Sequence, residues 1–267
     1  MKRLNFIYLF LFMYSCDLIN SENPNNNSQS PEQGQTGSDL WKVALFVEDG
    51  FDFTRNFEEV RFKFDDAGLF EANKNDEVIK GSWRIKRDSP LDELYITYPK
   101  SSVLSELNDD WYIRERNENF ISLEYRDQGK TDRLIFVRGG DQRTIEAPFE
   151  ATKTDMENLY SEFFGSDFEI TSLIDDKDNK TALFKDATLT FDKLGRVILS
   201  IPNRDPWQGT WKIGFNDKNV LLDIDFVYNS LPDYLDEDWI LTSKNDGRFN
   251  FKEKENIPED FLELKKK

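Results

Sequence analysis

Gly81-Ser82-Trp83-Arg84-Ile85 and Gly209-Thr210-Trp211-Lys212-Ile213 are one phrase written twice, 128 residues apart. The match extends outward from both. Leu107, Asp110 and Trp111 return as Leu235, Asp238 and Trp239 at the same offset. Upstream, Phe64-Asp65 with Gly68 returns as Phe191-Asp192 with Gly195 at an offset of 127, so one inserted or deleted residue separates the two blocks. Repeats of roughly 20–50 residues build solenoids and propellers, whereas a unit of this length is a whole domain copied once.

Within each copy apolar residues alternate with polar ones, the period-2 mark of a strand with one buried face. In the first copy Trp41, Val43, Leu45 and Val47 alternate with Lys42 and Ala44, and Val60, Phe62 and Phe64 with Arg61 and Lys63. Asp65-Asp66-Ala67-Gly68 then supplies a turn before Leu69, a hairpin signal. Trp83 with Ile85, Leu94 with Ile96, Trp111 with Ile113, Ile121 with Leu123, and the run over 134–137 bring the count to about eight strands. The second copy repeats the series over 168–251. Asp132-Arg133-Leu134 returns as Asp260-Phe261-Leu262, so residues 261–265 are expected to form a closing strand and not a tail.

Between the copies, Thr154 and Glu157 fit a capping box, and Met156, Leu159, Tyr160, Phe163 and Phe164 follow at helical spacing, with Gly165 suited to the C-cap. This helix is expected either to pack between the copies or to plug the end of the second. The predicted fold is all-β, with two consecutive antiparallel β-barrels of about eight strands each over 40–139 and 167–267. One helix lies in a linker over 140–166.

Composition narrows the function classes. The 23 Phe, six Trp and nine Tyr favour strands over helices. A net charge of −17, spread along the chain, repels phosphate backbones and argues against a nucleic-acid partner. Histidine is absent and Cys16 is the lone cysteine. That excludes Ser-His-Asp, Cys-His and His-ligated metal chemistry, and disulfides within the chain.

Met1-Lys2-Arg3 and the apolar run over 4–14, broken by Asn5, match a secretory signal and are too short to span a bilayer. Ser15-Cys16 follows at once. A small residue before a cysteine at this place resembles the lipobox of bacterial lipoproteins, although Met13 and Tyr14 depart from its usual pattern. The resemblance implies removal of residues 1–15, lipidation of Cys16 and anchoring in the cell envelope, at the outer membrane. Residues 21–39 hold no large apolar side chain, and the stretch over 16–39 reads as a flexible tether.

The ordered set Phe64-Asp65-Asp66-Ala67-Gly68, Gly81-Ser82-Trp83 and Leu94-Tyr95-Ile96, with copies beginning at Phe191, Gly209 and Leu222, resembles the lipocalin-like domains of Bacteroidetes envelope lipoproteins. The resemblance covers residues 41–267 apart from the helix region. It implies small β-barrels that bind a small molecule or a protein, and it supplies no catalytic residues. Animal lipocalins carry Gly-x-Trp on the first strand, whereas here it lies on the fourth, so their ligand chemistry does not carry over.

Trp83, Trp111, Trp211 and Trp239 are the candidate ligand-binding residues. An eight-stranded barrel has room for packed side chains or one small ligand, and each tryptophan also fits a core role at the start of an apolar alternation. Ser172, a polar break on an inward face, joins them. Trp207 falls where Ile79 falls in the first copy and reads as a strand-entry core residue, not a sugar-stacking platform. Asp175-Asp176-Lys177-Asp178-Asn179 resembles half of a calcium loop, but Lys180 and a missing glycine make it a hairpin turn. Asp65 and Asp66 are turn formers.

The expectation is a lipid-anchored protein that binds a small apolar molecule or an envelope protein, with no cofactor, no metal and no catalysis. The alternative is a structural adaptor with filled barrels. A glycoside-acting enzyme using carboxylates alone comes third.

Overall fold

The alternating patterns of the first copy become β1 (Trp41–Glu48), β2 (Phe51–Asp52), β3 (Arg61–Phe64), β4 (Leu69–Lys74) and β5 (Glu77–Lys86). They continue as β6 (Glu93–Thr97), β7 (Asp110–Arg116), β8 (Phe120–Asp127) and β9 (Lys130–Arg138). The computed structural model describes residues 40–87, 90–127, 129–139, 141, 143–226, 231–255 and 260–267. The expected leader over 1–15, Cys16 and the expected tether over 16–39 lie outside the described residues.

Antiparallel ladders join β1 to β3 and then each strand to the next as far as β9. β9 pairs back onto β1 from Trp41↔Arg138 to Val47↔Arg133. The result is a closed antiparallel barrel of eight strands, β1 and β3 to β9. Closure leaves no unpaired edge in that ring.

Ten strands lie outside the ring. β2 pairs with β1. The others are β10 (Ser166–Asp175), β11 (Asp178–Asn179), β12 (Thr188–Phe191), β13 (Arg196–Ser200), β14 (Trp207–Phe215), β15 (Val220–Phe226), β16 (Asp238–Asn245), β17 (Arg248–Glu253) and β18 (Phe261–Lys266). β10 pairs with β12, and ladders run on strand by strand to β18, which pairs with both β17 and β10. The registers follow those of the first barrel: Trp211↔Ile224 answers Trp83↔Ile96, and Lys244↔Phe249 answers Arg116↔Ile121. Gly68 (φ +84°) and Gly195 (φ +83°) occupy matching turns with left-handed backbone, which suits glycine.

Bulges correct the simple alternation. β1 slips between Val43 and Leu45, and β10 between Ile170 and Ser172. Phe46 and Leu173 therefore turn into the cores, while Leu45 and Val47 pack outside with Phe120, Ile135 and Val137. Ser172 is half-buried beside the bulge instead of continuing the Phe168-Ile170 inward row.

The helix, α1 (Lys153–Phe163), starts without the expected capping box. Its N-cap is Thr152, whose side chain makes no cap bond and whose hydroxyl donates to the Asn216 carbonyl. Phe164 is the C-cap, and Gly165 (φ +74°) follows it in the left-handed region. Met156, Leu159, Tyr160 and Phe163 bury one face of α1 among the second set of strands. The other side meets the first barrel, where Arg55 bonds Glu157 at 2.8 Å and lies over the Tyr160 ring. The helix thus packs between the two sets of strands.

β14 is buried on both faces from Gly209 to Phe215, unlike β5, whose residues alternate between half-buried and exposed. Trp211, Ile213 and Phe215 face their own core. On the other face the Phe53 ring fills the place that a Cβ on Gly214 would need. The Asn56 amide bonds Ile213 through both its donor and its acceptor, and Asp52 pairs with Phe215. Leu221 and Ile240 complete the contact by packing into the first barrel's apolar cluster.

Candidate functional site

The first barrel's interior is filled by its own rings. Phe46, Phe57, Phe62, Phe70 and Phe136 are fully buried and pack edge-on or stacked at centroid distances of 5.3 to 5.9 Å. What remains open is a dish at the end of the barrel where β1 begins and β7 turns into β8. It is a shallow depression open to solvent, lined by Trp41, Phe64, Trp83, Ile85, Ile113 and Ile121 among others. Its cavity volume is about 20 Å³, room for about one water molecule. Arg116 and Asn117, at the end of β7, form its polar rim.

Each candidate tryptophan has a structural hydrogen bond, made twice over. Trp83 Nε1 donates to the Asp65 carbonyl at 3.0 Å, and Trp211 Nε1 to that of Asp192 at 3.2 Å. Trp111 and Trp239 both donate at 3.1 Å, to the carbonyls of Leu107 and Leu235. Their surroundings differ. Trp83 is half-buried and lines the dish, whereas Trp211 is 2% exposed beneath Tyr160 of α1. Trp111 and Trp239 lie inside the packed cores, and Ser172 lies on the opposite strand set from the dish.

The structure therefore brings together Trp83 and five residues that the sequence reading passed over as core: Trp41, Phe64, Ile85, Ile113 and Ile121. The signal that separates Trp83 from Trp211 is in the sequence. An amphipathic helix with one apolar face precedes β10, while a polar stretch precedes β1.

A second constellation is a buried charge cluster at the contact between the strand sets. Lys212 is 4% exposed. Its ammonium is 2.7 Å from Glu48 and 3.1 Å from Asp223, bonds Glu106 as well, and lies over the Phe53 ring. Burial alone would lower its pKa, but the three carboxylates together hold it well above the ordinary lysine value. Burial raises Glu48 and Glu106 and pushes Asp223 up to about 6, against the pull of Lys212. One cation among three acids is an unbalanced set, and the raised pKa values of the acids reflect that imbalance together with their burial.

A wider, open groove of about 590 Å³ runs between α1 and the outer wall of the first barrel. Two of its cations are taken up by neighbouring carboxylates, Arg55 by Glu58 and Glu157 and Arg143 by Asp141 and Glu115, and Arg61 donates to the Glu58 and Val60 carbonyls. The acidic stretch over 175–179 is a tight turn with Asp176 and Lys177 at positive φ. Trp207 begins β14, half-buried against the core. Among the described residues no group of three His, Cys, Asp or Glu is placed to hold a metal ion, and no helix is long and apolar enough to cross a membrane. No family model, curated protein or solved structure matches this chain.

Proposed function

We propose that this chain is a lipid-anchored, non-catalytic binding module of the cell envelope, built from two consecutive lipocalin-like barrels. The ladders that leave β10 through β12 and return to it through β18 support a second barrel closed on itself. The observation that carries the binding reading is the dish around Trp83, an apolar surface half-open to solvent at the mouth of the first barrel. Because the interior behind it is packed, the occupant is an apolar group inserted from outside and not a ligand swallowed whole. The adaptor role shares this geometry, with a protein supplying that group. The lipid anchor rests on Cys16 and its preceding apolar run.

Titration of the mature chain with indole, followed by chemical-shift changes of the Trp83 side chain, tests the dish. Saturable shifts at Trp83, lost in an Ile113→Trp variant that fills the space, are expected. Shifts at neither Trp83 nor Trp41 would remove the binding reading. Cys16→Ser is expected to release the protein from the membrane fraction or leave it uncleaved, and unchanged mass and fractionation would rule out the anchor.

A further inference from the structure

The dish has an occupied counterpart within the same chain. The ladder registers make Trp41 correspond to Phe168, Phe64 to Phe191 and Ile121 to Phe249. In the second strand set that place is filled by Phe163 of α1. Its ring lies 4.3 Å from Phe168, 4.8 Å from Phe191 and 5.1 Å from Phe249. Tyr160, one turn earlier, lies 5.7 Å from Trp211, the counterpart of Trp83. The residues that would grip such a ring in the first barrel are those that line the dish.

Charge holds α1 in place as well. Lys244 bonds the Glu162 carboxylate, and Lys266 donates to the Glu162 carbonyl at 2.7 Å, at the C-terminal turn of the helix. The residues in register with Lys244 and Lys266 are Arg116 and Arg138. Arg116 lines the rim of the dish, and the Arg138 guanidinium lies 5.0 Å from the centre of the Trp41 ring. Socket and cations are therefore both repeated in the first barrel. The filler is not. The nineteen residues over 21–39 that lead to β1 include no large apolar side chain, whereas the residues that lead to β10 are α1 itself.

We infer that the mouth of the first barrel is a docking socket for an acidic amphipathic helix of a partner protein, which inserts one aromatic side chain as α1 inserts Phe163. The inference rests on the binding reading above and names the class of partner. Helix-in-groove recognition of this kind uses anchors spaced three or four residues apart, the spacing of Tyr160 and Phe163.

The probe is a synthetic peptide of residues 150–165, fluorescently labelled and side-chain stapled, because a free peptide of this length is a marginal helix. It is titrated into the intact mature chain by anisotropy. The cis copy of α1 keeps its own site through high effective concentration. Saturable binding is expected, weakened at least about tenfold by Phe163→Ala in the peptide and by Ile113→Trp in the protein. Arg116→Glu, with its melting compared with that of the parent chain, is expected to weaken binding and flatten its salt dependence. Peptide binding that survives both protein variants overturns the inference. If indole binds at Trp83 and the peptide does not, the binding reading stands and the helix inference falls; if neither binds, both fall.

Discussion

Removing the buried Lys212 ammonium would leave the partly exposed carboxylates of Glu48, Glu106 and Asp223 facing one another. Breaking a buried ionic set by deleting one member is far costlier than never having built it. Lys212→Met is therefore expected to cost about 3–5 kcal/mol near neutral pH. The deficit should shrink as pH falls, because protonated carboxyls no longer need the cation; equal losses at about pH 5.5 and about pH 8 in chemical melts would contradict this account. The same chemistry sets the pH profile of the whole chain. Burial pushes Asp223 and Asp236 up to about 6, and Asp109 and Glu237 up to about 7. A carboxyl with a raised folded-state pKa stabilises the fold while it is protonated, and that contribution is lost as pH rises through the folded value. Opposing groups act lower. Asp49, Glu124 and Glu169 are held below their usual values by bonds to Lys130, Arg126 and Lys265. Their contribution is present above about pH 4 and lost beneath it. Tm is thus expected to peak near about pH 5 and to fall toward about pH 8, measured by calorimetry across buffers of equal ionic strength.

At the scale of elements, β18 is the sharpest test. Leu262 and Leu264 are fully buried, and the strand bonds to β10 on one side and β17 on the other. Deleting residues 260–267 strips both leucines from the core, at about 2–5 kcal/mol each, and opens two unpaired edges. The second strand set should lose its near-ultraviolet signal, and a truncated chain that melts like the full one would show the strand to be dispensable. This strand was legible in the sequence because Asp132-Arg133-Leu134 recurs at Asp260-Phe261-Leu262, even though composition alone reads as a charged tail. The bulges were not legible. An alternating row such as Phe168-Ile170-Ser172 looks unbroken until the ladder shows a slip after Ile170. Lys212 was hidden for a related reason: period-2 logic puts it on the outside of β14, correctly, but cannot say that the outside is covered. Part of the dish was readable, since Trp83 was singled out. Its half-buried partner Ile113 was not, because half-burial depends on what fails to sit on top of it, and Trp41, only 2% exposed, reads as core.

At the scale of the molecule, the contact between the strand sets is built from a shared ladder pair, a buried amide, a ring against Gly214 and the Lys212 cluster. Such an interface couples what it joins, so residues 40–267 are expected to unfold in one calorimetric transition. A fragment over 39–139 exposes Phe53, Val103 and Leu104, which are buried in the full chain, and should melt well below it. Two separate transitions would show the contact to be weak. The position of α1 along the chain has a further consequence, in time and not in space. Synthesis runs from the N-terminus, so the first barrel is complete and α1 has been made before any of β10 to β18 exists. Arg138 ends β9 beside the dish, and the stretch over 139–152 can reach about 45 Å when extended. During that interval the only finished apolar seat for α1 is the one it does not keep. A chain halted after Gly165 is expected to lodge α1 on the first barrel, with Trp83 emission shifted to shorter wavelength; an unshifted spectrum would argue against it. Completion of the second strand set then draws the helix away. The binding face would be uncovered by the last act of the protein's own assembly, so that an unfinished molecule cannot claim a partner.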